Sequence, residues 1–414
     1  MDPVMENLNK LITFPKKFWL AKQTDLDKDL ALSFLLENEE FDMEALNIGF
    51  EAALFNMAPK CLECLIKFAK RKGIMFSCKN PYPYLFNRKK PSFKNSLVKC
   101  TQTLIDNGFD VKERSDLYPL YSLIMSAAWV QSHTPSLEYV CDSLSLLLAA
   151  GADPNFRYYG PGEESGCGVK SATATIALAC TLGRFRSSSH FHDHCKYFAK
   201  VIELLVKHGC DIFENDARTP LLKLYFKKFY DDICKHLYGD YDYEQVSATI
   251  PYLYKATGCL IYGGADIHYY RNQWKLLLTG LNMHIICKLL VRRHLREDEE
   301  WSEIEQREDE SRVKDILLSV LDSAFSFLKF MDVTEAQEVL KESLDAFDTE
   351  FEDGELTDLR TVFKDVLLKH FAHFFSLQSL CLVKVWKCAG KRFTELGLPT
   401  TVVDSIKNMF HLAF

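Results

Sequence analysis

The 414-residue chain is short of glycine and proline, 18 and 13, which excludes collagen-like and low-complexity architectures. It has no uncharged apolar run approaching ~18 residues, so no transmembrane helix and no membrane partner are expected. The start, Met1 to Lys10, is polar with acids and no apolar stretch follows it, so no secretory signal is expected either. A basic excess is missing: 50 Lys and Arg against 57 Asp and Glu leave a net charge of -7. Nucleic acid is therefore not an expected partner. Cysteine is the residue that is not scarce. Fourteen are scattered through apolar, helix-like stretches, without the dense spacing of a small secreted scaffold. That predicts reduced, mostly buried thiols and a cytoplasmic or nuclear setting.

The chain is 48% hydrophobic and 13% aromatic, enough to build cores and to exclude disorder throughout. Its length fits two or three domains or one elongated array. The charge is uneven. Residues 296–358 hold 22 acids and 6 bases, a net of -16, densest from Glu297 to Glu310. On either side, 1–295 carries +4 and 359–414 carries +5. The block marks a boundary between an N-terminal body and a C-terminal module, as a solvated helix face or charged linker, or as an acidic docking surface.

One phrase recurs in the body: a hydrophobic helix end, a glycine, a small or apolar residue, then Asp. It reads Leu104-Ile105-Asp106-Asn107-Gly108-Phe109-Asp110, then Leu147-Leu148-Ala149-Ala150-Gly151-Ala152-Asp153. It returns as Leu204-Leu205-Val206-Lys207-His208-Gly209-Cys210-Asp211 and Leu260-Ile261-Tyr262-Gly263-Gly264-Ala265-Asp266. Glycine there can take the left-handed conformation that ends a helix, and Asp can organise the following turn. After Asp211, Thr219-Pro220-Leu221 starts a new helix, with Thr219 as N-cap and Pro220 at the first helical position. Tyr118-Pro119-Leu120 repeats the signal after Asp110, with Tyr in place of Thr.

These residues resemble the ankyrin repeat, whose consensus joins a Thr-Pro-Leu-His-x-Ala helix start to a Leu-Leu-x-x-Gly-Ala-Asp turn. The glycines are spaced 43, 58 and 55 residues apart, against a family period of about 33. The resemblance therefore implies insertions, placed at Phe156 to Val169, Ser187 to His194 and Phe226 to Glu244. Cys61 to Gly73 gives a further helix end upstream, and Trp274 to Leu295 a degenerate capping repeat. An ankyrin array binds macromolecules and has no catalytic pocket of its own.

Within the acidic block, Thr334 with Gln337 forms a capping box. Thr357 caps a helix with Leu359, Val362, Phe363, Val366, Leu367 and Phe371 on one face. In the tail, Leu377, Cys381 and Val385 fall at i, i+4 and i+8, one stripe of a helix that Ser376 can cap. Further on, Leu398-Pro399 can open a short helix with Val402, Val403 and Ile406 as its apolar side.

This two-part tail resembles the SOCS box. The resemblance implies that Leu377, Cys381 and Val385 enter a groove of Elongin C, which is paired with Elongin B. It implies that Leu398, Pro399, Val402 and Ile406 form the cullin-contacting part. Gly397 stands where that family usually has a proline, and Ser405 where it often has an aromatic residue. An ankyrin array followed by such a tail resembles the ankyrin-repeat and SOCS-box family.

Other constellations carry less. His190-Phe191-His192-Asp193-His194-Cys195 has metal-ligand chemistry, but reads as a solvated loop leading into a helix from Tyr197 to Lys207. Cys61 and Cys64 have redox spacing with no second pair nearby. Gly160, Gly162, Gly166 and Gly168 lack the strand-to-helix context of a phosphate loop. No catalytic set is recognisable, and no cofactor or metal is expected.

The expected fold is all-α. It comprises an N-terminal helical cap over 1–44, divergent ankyrin repeats over 45–295 and an acidic helical connector over 296–358. C-terminal helices over 359–414 complete it, with the SOCS box from about 374. The implied function is a non-catalytic one. The chain would be the substrate-recognition adaptor of an Elongin B/C–cullin–RING ubiquitin ligase, with a target protein held on the array. The alternatives are an interaction scaffold without a ligase, and a metal-dependent protein built on the His190 cluster.

Overall fold

A computed structural model describes residues 43–86, 95–112, 118–127, 134–155, 157–158, 170–171, 191–210, 243–264 and 377–410. It also describes 330, 334–338 and isolated helical positions between 341 and 368. The chain divides into two units, Met1–Tyr158 and Tyr159–Phe414. Apart from the two-residue strands Arg157–Tyr158 and Lys170–Ser171, the regular structure of the described residues is helical. The all-α expectation therefore holds there. No described helix is long and apolar enough to cross a membrane.

In the first unit the helices are α1 (Met43–Phe55), α2 (Pro59–Lys72), α3 (Tyr82–Leu85), α4 (Asn95–Asp106), α5 (Pro119–Ala127) and α6 (Thr134–Ala149). They pack as a ladder. One row runs α1, α3, α5 and the other α2, α4, α6, with α1 against α2, α3 against α4 and α5 against α6. Each helix of the second row shows the ladder an apolar face. On α2, Leu62, Leu65, Ile66 and Ala69 are buried at helical spacing, and on α4 the face is Leu97, Cys100, Thr101 and Leu104. Lys60, Glu63, Lys67 and Lys70 of α2 stay outside.

The ends of that row are built alike. Gly73 stands at φ 66, Gly108 at 84 and Gly151 at 91. In each case the glycine N–H reaches back three residues and the next N–H reaches back five: Gly108 to Ile105 and Phe109 to Leu104, Gly151 to Leu148 and Ala152 to Leu147. This double bond satisfies carbonyls a helix end would otherwise leave open. The aspartates follow on. Asp110 Oδ1 accepts the Lys112 N–H at 2.7 Å, and Asp153 Oδ1 accepts the Asn155 N–H at 2.8 Å. Successive turns also touch: Lys70 Nζ donates to Asn107 Oδ1 at 2.8 Å. The buried Tyr118 accepts the Ser122 N–H on its carbonyl, while its hydroxyl accepts the Asp153 N–H. The start of α5 is thereby tied to the turn after α6.

In the second unit, α7 (Phe191–Lys207) lies along α8 (Tyr243–Tyr262). Phe198, Val201, Ile202 and Leu205 are the buried stripe of α7. Between the helices sits the carboxylate of Glu203, only 5% exposed, with Lys255 Nζ at 2.8 Å and Lys200 Nζ at 3.5 Å. The turn after α7 repeats the glycine motif, with Gly209 at φ 85 bonded to Val206 and Cys210 to Leu205. Gly264, at φ 106, bonds to Ile261 after α8. The sequence placed His192, Asp193, His194 and Cys195 in a loop, but α7 already begins at Phe191.

Candidate functional site

Two C-terminal helices complete the second unit. They are α9 (Leu377–Ala389) and α10 (Thr400–Met409), joined by a 3-10 segment, Gly390–Glu395. The sides of α9 differ. Val383 is buried and Trp386, one turn on, joins an aromatic cluster. In that cluster Phe330 stacks on Phe410 at 4.6 Å between ring centroids, and Trp386 stands 5.0 Å from Phe410. Tyr262, at the end of α8, meets Phe410 edge-on at 5.3 Å and Phe393 at 6.3 Å. Offset and edge-to-face pairs of this kind each add about 0.5–1.5 kcal/mol beyond their burial. Backbone contact is equally close at Gly258 of α8, where an added Cβ would lie 2.3 Å from the Phe410 carbonyl oxygen.

The opposite side of α9 is the stripe singled out in the sequence. Cys381 is exposed and Val385, one turn later, is half-buried. Leu377 is the first residue of the helix, one turn ahead of Cys381 and in register with it. Cys388, two turns beyond Cys381, is exposed on the same side. Among the described cysteines, Cys61, Cys100, Cys141, Cys210 and Cys259 are buried, and Cys381 and Cys388 are the exposed pair. Burial pushes the Cys259 thiol up to about 12, with Glu203 adding to the shift.

The residues of the second element are divided. Leu398 and Val402 are half-buried, and Pro399 is exposed. Pro399 is the N-cap of α10 rather than its first helical residue. Its extended backbone (φ -53, ψ 142) presents a carbonyl that accepts the Val402 and Val403 N–H groups. Ile406 is fully buried with Phe410, so the fold uses it internally and leaves Leu398, Pro399 and Val402 accessible. Ser405 returns its hydroxyl to the Thr401 carbonyl at 2.7 Å. Gly397 has φ 64, a conformation proline cannot adopt.

Asp211, Thr219, Pro220 and Asp266 lie outside the described residues, as do residues 226–242 and 187–190 of the inserts and most of the acidic block. Among the described residues no group of three or more His, Cys, Asp or Glu side chains could hold a metal. Sequence reasoning missed Gly258, Phe330, Trp386 and Phe410, which meet only through tertiary packing. The one local signal was the unusual number of aromatic residues around them. Comparison with protein-family models, curated proteins and solved structures finds no match.

Proposed function

We propose that the chain is the target-recognising adaptor of a ubiquitin ligase. Its helical ladder would be a divergent ankyrin array, and its C-terminal helices a SOCS box docking Elongin B/C and a cullin–RING scaffold. The observation that carries this reading is the two-sidedness of α9. Its inner side is committed to Trp386 and Val383, while Cys381, on the stripe of positions 377, 381 and 385, is exposed on the other side. A helix held in this way meets a groove already formed, so docking does not bear the cost of ordering it. The array reading is supported by the two rows of helices and the recurring glycine turns. In such an assembly the adaptor contributes proximity, and partner subunits perform the ubiquitin transfer.

Co-purification with Elongin B/C tests it. The intact chain should form a complex, and Leu377→Asp and Cys381→Arg should abolish it without unfolding the chain. No complex at micromolar concentration contradicts the reading. A second reading, a scaffold whose tail only caps the helices before it, has one observation in its favour: the close seat of Phe410 on Gly258. Under it, Leu377→Asp changes no partner, whereas Trp386→Ala lowers stability.

A further inference from the structure

The first ladder rungs present a surface whose chemistry differs from one side to the other. Helix α1 contains Glu44 and Glu51 and no Lys, Arg or His, while α2 exposes Lys60, Lys67, Lys70, Arg71 and Lys72. Large apolar side chains are exposed on the acidic side: Met43 and Ile48 on α1, Met75 in the loop after Gly73, and Tyr84 on α3. Met75 is 86% exposed, and nothing in loop geometry requires an apolar residue there.

These residues adjoin one another. The Ser77 N–H donates to Asn47 Oδ1 at 2.9 Å and Phe76 stacks on Phe50 at 4.0 Å, which brings the Met75 loop onto α1. Glu44, Ile48 and Glu51 fall at i, i+4 and i+7, one face of α1. Helix α3 packs on α1, and Tyr84 lies near enough to the Glu51 carboxylate that burial, then Glu51, holds its phenol above the usual range.

We infer that Ile48, Met75 and Tyr84, with the carboxylates of Glu44 and Glu51, form a docking surface for a cationic amphipathic segment of a partner protein. Such a segment sets a large apolar side chain beside Lys or Arg. The charge of the surface selects it: apolar contact supplies affinity, and two carboxylates without a cation on their own helix select a basic sequence. Lys79, at the far end of the loop, is exposed and sets one limit of the surface. The inference rests on the ladder's being the target-binding part of the adaptor, and it names the class of target segment.

Labelled peptides of Leu and Lys, Leu and Glu, and Ser and Lys, titrated against the full chain, test this. The Leu/Lys peptide should bind about tenfold or more tighter than the other two. Met75→Glu combined with Ile48→Ser should lower that affinity about tenfold, and Glu51→Lys should abolish the preference for Lys over Glu. Lys72→Ser, on the basic row, should leave it unchanged. Met75 is so exposed that its replacement cannot unfold the ladder, and circular dichroism of each variant verifies this. Equal binding of the Leu/Lys and Leu/Glu peptides, or affinity unaffected by the Met75 and Glu51 variants, overturns the inference. Elongin B/C capture by the same preparation is read separately, so loss of one reading does not imply loss of the other.

Discussion

Gly397 has φ 64 with nothing within 4 Å of where a Cβ would stand, so only the backbone resists substitution. Gly397→Ala should cost about 1 kcal/mol. Gly397→Pro should cost more, because proline is fixed near a φ of about -65°. Thermal denaturation followed by circular dichroism measures both. The thiols make a second residue-scale expectation. Native chain at pH 8 should label at Cys381 and Cys388, and at Cys259 only after denaturation, as read by mass spectrometry. Cys259 also has a pH signature. Its ordinary value is 9.0 and burial raises it to about 12, so the unfolded chain releases this proton first. Its contribution to stability is complete below pH 9 and is lost as pH rises toward about 12. The capping glycines were legible in the sequence, because the Gly-x-Asp phrase carries its own turn geometry. The fate of Ile406 was not. An apolar helix face announces that it will be covered, not by what.

At the scale of elements, the joint between α8 and the C-terminal helices is set by Gly258. Gly258→Ala drives a methyl into the Phe410 carbonyl and should cost about 1–3 kcal/mol. Near-UV circular dichroism should change while the far-UV spectrum keeps its helix content. The joint between α7 and α8 holds a buried ion pair as well as apolar contacts. Lys255→Met leaves the Glu203 carboxylate, 5% exposed, with only the longer contact to Lys200. It should destabilise by about 1–3 kcal/mol. Lys200→Met, whose partner is 3.5 Å away and whose side chain is 53% exposed, should cost less than about 1 kcal/mol. Urea denaturation of the pair of variants ranks them. Element boundaries were the least legible part of the sequence. The polar start of α7 looked like a loop because His192, Asp193 and His194 leave no apolar period to follow. Pro251 is a helix breaker by type, yet α8 runs through it.

For the whole molecule, the repeat was visible because each rung writes the same short signal at its end. The seat of the C-terminal helices was not visible, because Tyr262, Phe330 and Trp386 converge on Phe410 from distant parts of the chain. The candidate docking stripe was legible as a spacing. Its freedom from the core depends on that convergence, since Trp386 and Val383 hold α9 by its other side. This division of one helix into a structural side and an outward side is the central claim, and calorimetric titration of Elongin B/C into the full chain tests it most directly. A saturable isotherm for the intact chain, lost in Cys381→Arg and Leu377→Asp at unchanged melting temperature, is the predicted result. An intact, folded chain that gives no binding heat, or variants that bind as the parent does, would contradict it.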